Sequence, residues 1–216
     1  MSRSVATHPL RSLAIYCADI GSVQKRHFGW ARGGVAPVAK VRAGARISAL
    51  ARAIALDLDA GRPVALGLEC PLFVPIAEEP TDLTSARRGE GNRAWSAAGG
   101  AASLTVGLTE TVWILRAVRV LLHGGVQPFL EWRAFWRSGR GLFVWEAFVS
   151  STAKGKTHAG DAVIAVRRFV ACLPDIAQAN AIKSNAVHSL IGAALLRTGW
   201  SRDLSLLEMP CVVIKA

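Results

Sequence analysis

The chain has 216 residues, of which 51% are apolar and seven are tryptophan. It is therefore long enough and apolar enough to bury a substantial core, which excludes a disordered protein. Lysine and arginine outnumber aspartate and glutamate by 26 to 15, giving a formal charge of +11. A charge of this size favours a polyanionic partner, with nucleic acid as the first candidate, although a solvated basic surface would give the same count.

The cysteine and hydropathy patterns favour a cytoplasmic protein with no membrane partner. The four cysteines lie in apolar runs without CxxC spacing, which indicates buried thiols rather than a zinc site or a disulfide framework. The apolar run after Arg11 is short and ends at Asp19, which is typical of a strand and not of a signal peptide. The stretch from Val112 to Leu122 is too short to span a bilayer.

The first part of the chain reads as three strands, a helix and a fourth strand. The run "LAIYCAD" (13–19) predicts a buried central strand, and "HFGWARGG" (27–34) and "VAPVAKVRAG" (35–44) predict antiparallel strands two and three. Apolar residues recur at helical spacing from about Ile47 to Ala60. The run "VALGLEC" (64–70) predicts a second buried strand, which a proline ends.

The remainder predicts an insertion over about residues 71–140, followed by a strand and two helices. The insertion contains a long Gly- and Arg-rich loop, a helix from about Leu104 to Leu122 and a short Trp-rich helix. The later elements are a buried strand over 141–149, helices from about Gly160 to Leu173 and from about Asn185 to Arg197, and an edge strand over 210–216. With no repeat and no long linker, residues 1–216 are expected to form one α/β domain with a mixed central sheet flanked by helices.

Four carboxylates lie in or beside the buried segments. Asp19 ends the first strand, Glu69 nearly ends the fourth, Glu146 lies in the strand at 141–149, and Asp161 opens a helix. A carboxylate in an apolar strand is costly unless it is paired or binds a cation, and ligand sites form at strand ends in open α/β sheets. If the first and fourth strands are parallel neighbours, Asp19 and Glu69 lie side by side, and the helix adds Asp161.

Such a cluster predicts a divalent cation. Neighbouring carboxylates raise one another's pKa values unless a cation neutralises them, and oxygen-only ligands suit Mg²⁺ or Mn²⁺. His158 then becomes a candidate to move a proton or to position water. Simpler explanations stay open: Asp19 as a turn cap, Asp161 as an acid favoured at a helix N-terminus, and Glu146 as the partner of an arginine.

A set of basic and aromatic residues is expected to lie near these acids. The loop "ARRGEGNRAWSAAGG" supplies Arg87, Arg88, Arg93 and Trp95, and Lys154 and Lys156 precede the late helix. Arginine donates two hydrogen bonds to a phosphate and tryptophan offers a face for base stacking, so these residues are candidates for binding nucleic acid. A solvated loop is the alternative. The Trp-rich segment around 132–136 is expected in the core or at a homodimer face.

The ordered motifs resemble the ribonuclease H-like superfamily. They are an Asp on the first strand ("CADIGS"), an acid on the fourth ("LGLECPL") and His-x-x-Asp-Ala opening a late helix ("HAGDAVIA"). Within that superfamily the chain looks similar to the RuvC-like resolvases and to predicted nucleases of the DUF429 type. The resemblance implies a ribonuclease H-like sheet and two-metal phosphodiester hydrolysis in DNA or RNA.

By this resemblance Asp19, Glu69 and Asp161 would hold Mg²⁺ or Mn²⁺, with Glu146 and His158 as supporting catalytic residues. A catalytically silent nucleic-acid-binding or scaffold protein of the same fold is the alternative. An actin-like ATPase, whose first strand also ends in an Asp-x-Gly-Ser pattern, needs two such units, and one unit in 216 residues leaves no room for the second.

Overall fold

The structure, a computed structural model, describes residues 9–35, 41–91, 94–149, 154–184 and 186–216. Its helices are α1 (Ile47–Asp59), α2 (Ala98–Leu121), α3 (Trp132–Ser138), α4 (His158–Ala171) and α5 (Leu190–Arg197). Its strands are β1 (Ala14–Asp19), β2 (Gly29–Gly34), β3 (Arg42–Gly44), β4 (Val64–Glu69), β5 (Phe73–Pro75), β6 (Pro128–Phe129), β7 (Leu142–Phe148), β8 (Val187–Ser189) and β9 (Val213–Lys215). They form a mixed α/β fold.

Within the described ranges, seven strands form one mixed sheet in the order β3-β2-β1-β4-β7-β6, with β9 also paired to β7. Strands β1, β4 and β7 are parallel, whereas β2 runs antiparallel to β1 and β3 antiparallel to β2. Strand β6 pairs with the beginning of β7 and β9 with its end. The expected antiparallel second and third strands and the parallel pairing of the first and fourth strands are confirmed.

Two apolar layers cover the two faces of the sheet. Along β1, Tyr16 and Ala18 pack into the layer formed with α1, α2 and α5, while Ile15 and Cys17 pack into the layer formed with α4 and α3. All six residues of β1 are buried, because a strand covered on both faces has no solvated side. This explains why β1, β4 and β7 appear in the sequence as continuous apolar runs.

Helix α4 lies close against β2 and β1, and two glycines of β2 permit this approach. A Cβ atom at Gly29 would collide with the backbone of His158 and Ala159, and one at Gly33 would lie 2.7 Å from a methyl group of Val166. Because Gly29 pairs with Asp19, the first turn of α4 is held directly beside the end of β1. The glycines of "HFGWARGG" therefore serve helix packing.

The insertion and the C-terminal region differ in detail from the sequence expectation. Helix α2 begins at Ala98 and not near Leu104, because its first turns are small residues that give no apolar period. The expected helix from Asn185 begins only at Leu190, where the Ser189 side chain accepts a hydrogen bond from the Gly192 N–H. The preceding residues form β8, which pairs with β5. Asn185 lies outside the described residues.

In the parts of the chain described above, no helix is both long and apolar enough to cross a membrane.

Candidate metal centre

Three carboxylates meet at one end of the sheet. Strands β1 and β4 end in register, so Asp19 lies directly beside Glu69, and the first turn of α4 adds Asp161. Each residue offers a carboxylate oxygen, and these oxygens all lie within 4.8 Å of one another. Asp19 and Asp161 are buried and Glu69 is half-buried. The structure thus brings together the three residues expected to hold a metal ion, which we call the acidic triad.

The position of Asp161 follows from how α4 begins. Thr157 caps the helix, accepting a hydrogen bond from the Gly160 N–H at 3.1 Å. The Asp161 side chain accepts a second hydrogen bond from the Gly155 N–H, which ties the preceding loop to the helix. Together with the close packing at Gly29, these bonds hold the carboxylate towards the strand ends.

The triad carries an electrostatic cost in the absence of a cation. Burial, reinforced by the negative charges of Asp19 and Asp161 and partly opposed by Lys154, raises the pKa of Glu69 from 4.5 to about 9. Burial also raises the pKa of Asp19, although its hydrogen bond to His158 acts in the other direction. Among the described residues, Glu69 Oε2 is buried without a hydrogen-bond partner. Buried polar atoms in proteins are usually satisfied by a protein group, an ordered water or an ion, so this oxygen has room for such a partner.

The donor set of the triad fits a hard divalent cation. Three carboxylates offer only oxygen, and Mg²⁺ and Mn²⁺ are bound through a few carboxylates while keeping several waters. A cation would also remove the mutual repulsion that raises the pKa values and would give Glu69 Oε2 a partner. Asp19, Glu69 and Asp161 are therefore the residues that would hold such an ion.

His158 lies beside the triad and is tied to it. Its Nδ1 lies 2.6 Å from Oδ2 of Asp19 while 42% of its side chain remains exposed. The ring of His27, at the end of the turn that follows β1, lies 5.4 Å from the ring of His158, centroid to centroid. The structure therefore places two imidazoles at the solvent side of Asp19, one of which the sequence argument missed.

Glu146 does not join the triad. It pairs with Leu68 in the register of β4 and β7, so its side chain leaves the opposite face of the sheet from that of Glu69. Its two oxygens lie 2.6 and 2.8 Å from the Arg87 guanidinium, and one also accepts a hydrogen bond from the Leu72 N–H at 2.9 Å. This pairing agrees with the alternative explanation, an arginine partner, while a supporting catalytic role for Glu146 stays a prediction.

Arg87 is buried between carboxylates, and its expected role in binding phosphate stays a prediction. Its side chain is 1% exposed and lies between Glu146 and Glu90, with the guanidinium 4.7 Å from the centre of the Phe73 ring. The cation therefore anchors the loop after β4 to the sheet. Burial raises the pKa of Glu146, and the positive charge of Arg87 opposes this rise.

The other candidate nucleic-acid contacts lie at the surface. Arg88 is exposed, and its carbonyl accepts a hydrogen bond from the Lys183 N–H at 3.1 Å. Trp95 is half-buried, with its indole N–H donating to the Ser85 carbonyl at 3.0 Å. Lys154 and Lys156 are both exposed. Arg93 lies outside the described residues.

A cleft of about 520 Å³ opens above the triad and collects several of these side chains. Its walls include the predicted site residues Asp19, Glu69, Arg87, Trp95, Glu146, Lys154 and His158. Burial raises the pKa values of both Asp19 and Glu69, and the positive charge of Lys154 opposes this rise, so Lys154 interacts electrostatically with the triad. Acids, a cation, an aromatic face and an imidazole therefore share one concave surface. Arg88 and Lys156 are not among the residues that line it.

The sequence argument missed two further buried acids near the site. Glu110 of α2 is hydrogen-bonded by the backbone N–H groups of Gly21 and Val23, directly after Asp19, and burial raises its pKa to about 7. Glu90 pairs with Arg87 at 2.8 Å. For Glu110, the sequence signal is a charged residue at a core position of α2. For Glu90, the signal is its position three residues after Arg87.

Comparison of the chain with protein-family models, with curated proteins and with solved structures finds no match to any of them.

Proposed function

We propose that this protein is a metal-dependent nuclease of ribonuclease H-like fold that hydrolyses phosphodiester bonds in DNA or RNA. The observation that carries the proposal is the acidic triad, whose oxygens lie within 4.8 Å of one another, while one oxygen of Glu69 is buried without a hydrogen-bond partner in the described part of the chain. Metal-dependent phosphodiester hydrolysis requires clustered carboxylates that hold Mg²⁺ or Mn²⁺.

The arrangement of the sheet supports the fold part of the proposal. The order β-β-β-α-β, with β2 antiparallel and β4 and β7 parallel to β1, agrees with the order that the sequence motifs led us to expect. The acids lie at the carboxyl ends of neighbouring parallel strands, where ligands bind in open α/β sheets. Asp161 arrives from a helix that begins at the same edge.

Each residue of the cleft has a definable task in this reaction. Ions held by Asp19, Glu69 and Asp161 would supply an activated water and would stabilise charge on the departing oxygen. His158, fixed by Asp19 at 2.6 Å, holds an exposed imidazole at the cleft, where it can accept a proton or orient a water. Because His158 is hydrogen-bonded to Asp19, it would also orient the Asp19 carboxylate towards the metal ion.

The substrate side of the cleft suits a nucleic-acid strand. Lys154 supplies a positive charge for a phosphate, and Trp95 supplies an aromatic face against which a base can stack. The formal charge of +11 adds a long-range attraction for a polyanion. These features favour a nucleic acid over an uncharged substrate.

A cleavage panel tests the proposal. Single- and double-stranded DNA, RNA, a hybrid duplex and a four-way junction are incubated with Mn²⁺ and either the wild type, Asp161→Asn or the control Asp82→Asn. Asp82 is exposed, so the control makes the same chemical change away from the triad. We expect the wild type and Asp82→Asn to cleave at least one substrate and Asp161→Asn to lose that activity.

Two outcomes would contradict the proposal in different ways. Equal cleavage by the wild type and Asp161→Asn would separate the activity from the triad and point to a contaminant. Salt-dependent binding by all three proteins without cleavage, and without stabilisation by Mn²⁺, would favour the catalytically silent binding protein instead.

A further inference from the structure

A second cavity, of about 670 Å³, lies at the opposite end of α4 from the acidic triad. One wall is formed by α3 and the other by the segment that follows α4. We call it the Trp–Arg cavity; the residues that line it include Trp132, Trp136, Arg133, Arg137, Asp175 and Gln178. From Asp161 to Ala171, the last residue of α4, the helix rises roughly 15 Å at 1.5 Å per residue.

The aromatic wall of the cavity is rigid. Trp132 is 4% exposed and donates its indole N–H to the Pro174 carbonyl at 2.9 Å. Its ring contacts Phe143 and Phe169 edge-on, which fixes it to the sheet and to α4. Trp136 packs 5.6 Å from Trp132, centroid to centroid, and remains half-buried. The result is a supported indole with part of its surface open.

The cationic side of the cavity comes from the same helix. Arg133 and Arg137 lie one turn apart on α3 and are both exposed. Among the described residues, neither has a carboxylate oxygen within 4.0 Å, and Arg137 donates a 3.4 Å hydrogen bond to the Arg133 carbonyl. Two unpaired guanidinium groups beside an aromatic face fit a phosphate, since arginine recognises phosphate through paired N–H donors.

The third component of the cavity is a short polar edge. Asp175 and Gln178 are exposed residues of the segment after α4 and line the same space. A carboxylate and a carboxamide can accept and donate hydrogen bonds with the edge of a heterocyclic base. An aromatic face, a pair of cations and polar groups for a base edge are together complementary to one chemical unit.

We propose that the Trp–Arg cavity binds a nucleotide, with its base against Trp136, its phosphate on Arg133 and Arg137, and its base edge towards Asp175 and Gln178. The ligand is either a free nucleotide or one nucleotide of a nucleic-acid strand. The proposal does not require the nuclease activity. If both hold, the cavity is an anchoring site for nucleic acid at the far end of α4, which rises about 15 Å beyond Asp161.

Binding is tested on the full chain in EDTA, so that the acidic triad takes no part. A fluorescent nucleoside 5′-monophosphate and a fluorescent single-stranded oligonucleotide are titrated by anisotropy into the wild type, into the double variant Arg133→Gln/Arg137→Gln and into the control Arg116→Gln. Arg116 is an exposed residue of α2 on the other side of the sheet. All three changes are at exposed positions, so folding should be retained. Trp136→Leu tests the stacking contact separately.

We expect the double variant and Trp136→Leu each to weaken binding by about tenfold or more, while Arg116→Gln retains wild-type affinity. Affinity for the monophosphate that is as high as for the oligonucleotide would identify a free nucleotide as the ligand. Binding of the oligonucleotide alone, with the same losses, would identify a strand. Either result supports the site.

The proposal is overturned if the wild type binds neither probe, or if the double variant binds both as tightly as Arg116→Gln does. It is also overturned if the wild type is a dimer that Trp136→Leu converts to a monomer without any nucleotide binding, because the Trp-rich face would then be a contact between two copies. None of these results bears on the acidic triad, whose test is cleavage in Mn²⁺.

Discussion

Replacing Glu69 by glutamine should stabilise the metal-free protein and remove its response to metal. With a pKa raised from 4.5 to about 9, Glu69 is held neutral in the folded protein at pH 7, whereas it is ionised in the unfolded chain. The interval from 4.5 to 7 corresponds to a cost in the free energy of unfolding of about 3 kcal/mol, at about 1.4 kcal/mol per pH unit. Glutamine is neutral in both states, so Glu69→Gln removes this cost.

The expected change is large enough to measure by thermal unfolding. A gain of about 3 kcal/mol raises the Tm of a protein of this size by about 6–12 °C. The pKa is raised, so the stability associated with neutral Glu69 is fully present below pH 4.5 and is lost as the pH rises towards 9. The wild type and the variant should therefore have similar stability near pH 4.5 and diverge above it.

Metal should cancel most of this difference in stability. A cation at a hundred times its Kd stabilises the wild type by about 2.7 kcal/mol, and a variant without the site gains nothing. Thermal unfolding in EDTA and in Mn²⁺ at pH 7 measures both effects, with Glu79→Gln, an exposed position, as the control. If Glu69→Gln is less stable than the wild type in EDTA and Mn²⁺ shifts both equally, the reasoning about the triad is refuted.

Three further changes test the structural supports of the cleft. Gly29→Ala should push the first turn of α4 away from β1 and weaken the stabilisation by Mn²⁺, because the added Cβ would collide with the helix backbone. As the control, Gly124→Ala adds a Cβ with no atom within 4 Å and should leave the stabilisation by Mn²⁺ unchanged. An unaltered Mn²⁺ response in Gly29→Ala would show that α4 does not need this contact. Arg87→Met leaves two buried carboxylates without their cation and should cost about 3–5 kcal/mol in urea unfolding, while Arg88→Met should cost little; equal effects would refute the buried anchor. Lys154→Gln should reduce the salt dependence of nucleic-acid binding by about one unit in the slope of log K against log salt, and an unchanged slope would remove it from the phosphate contacts.

Several features of the site were accessible from the sequence. Asp19 and Glu69 are recognisable because each ends a continuous apolar run, and a carboxylate there demands a partner or an ion. The parallel pairing of β1 and β4 follows from a helical connection between two buried strands, and it brings the two acids together. Asp161 is recognisable because a capped helix begins just before it.

Other features depend on contacts between residues far apart in the chain. Glu146 and Arg87 are 59 positions apart, and no local pattern distinguishes an arginine that points to phosphate from one that neutralises a buried glutamate. The face of β7 from which Glu146 leaves depends on the register with β4, because a shift by one residue would move the side chain to the other face. Likewise, the hydrogen bonds from the backbone of Gly21 and Val23 to Glu110 depend on how α2 packs against the end of β1.

The sequence by itself determined the strands and helices that carry the acids, since apolar period, turn residues and helix caps are local properties. It also determined the basic charge, which is a sum over residues. The tertiary structure decided which charged groups are buried, which meet one another and which face the cleft. Those outcomes depend on strand register and helix docking, where desolvation of a charge is offset only by partners brought from elsewhere in the chain.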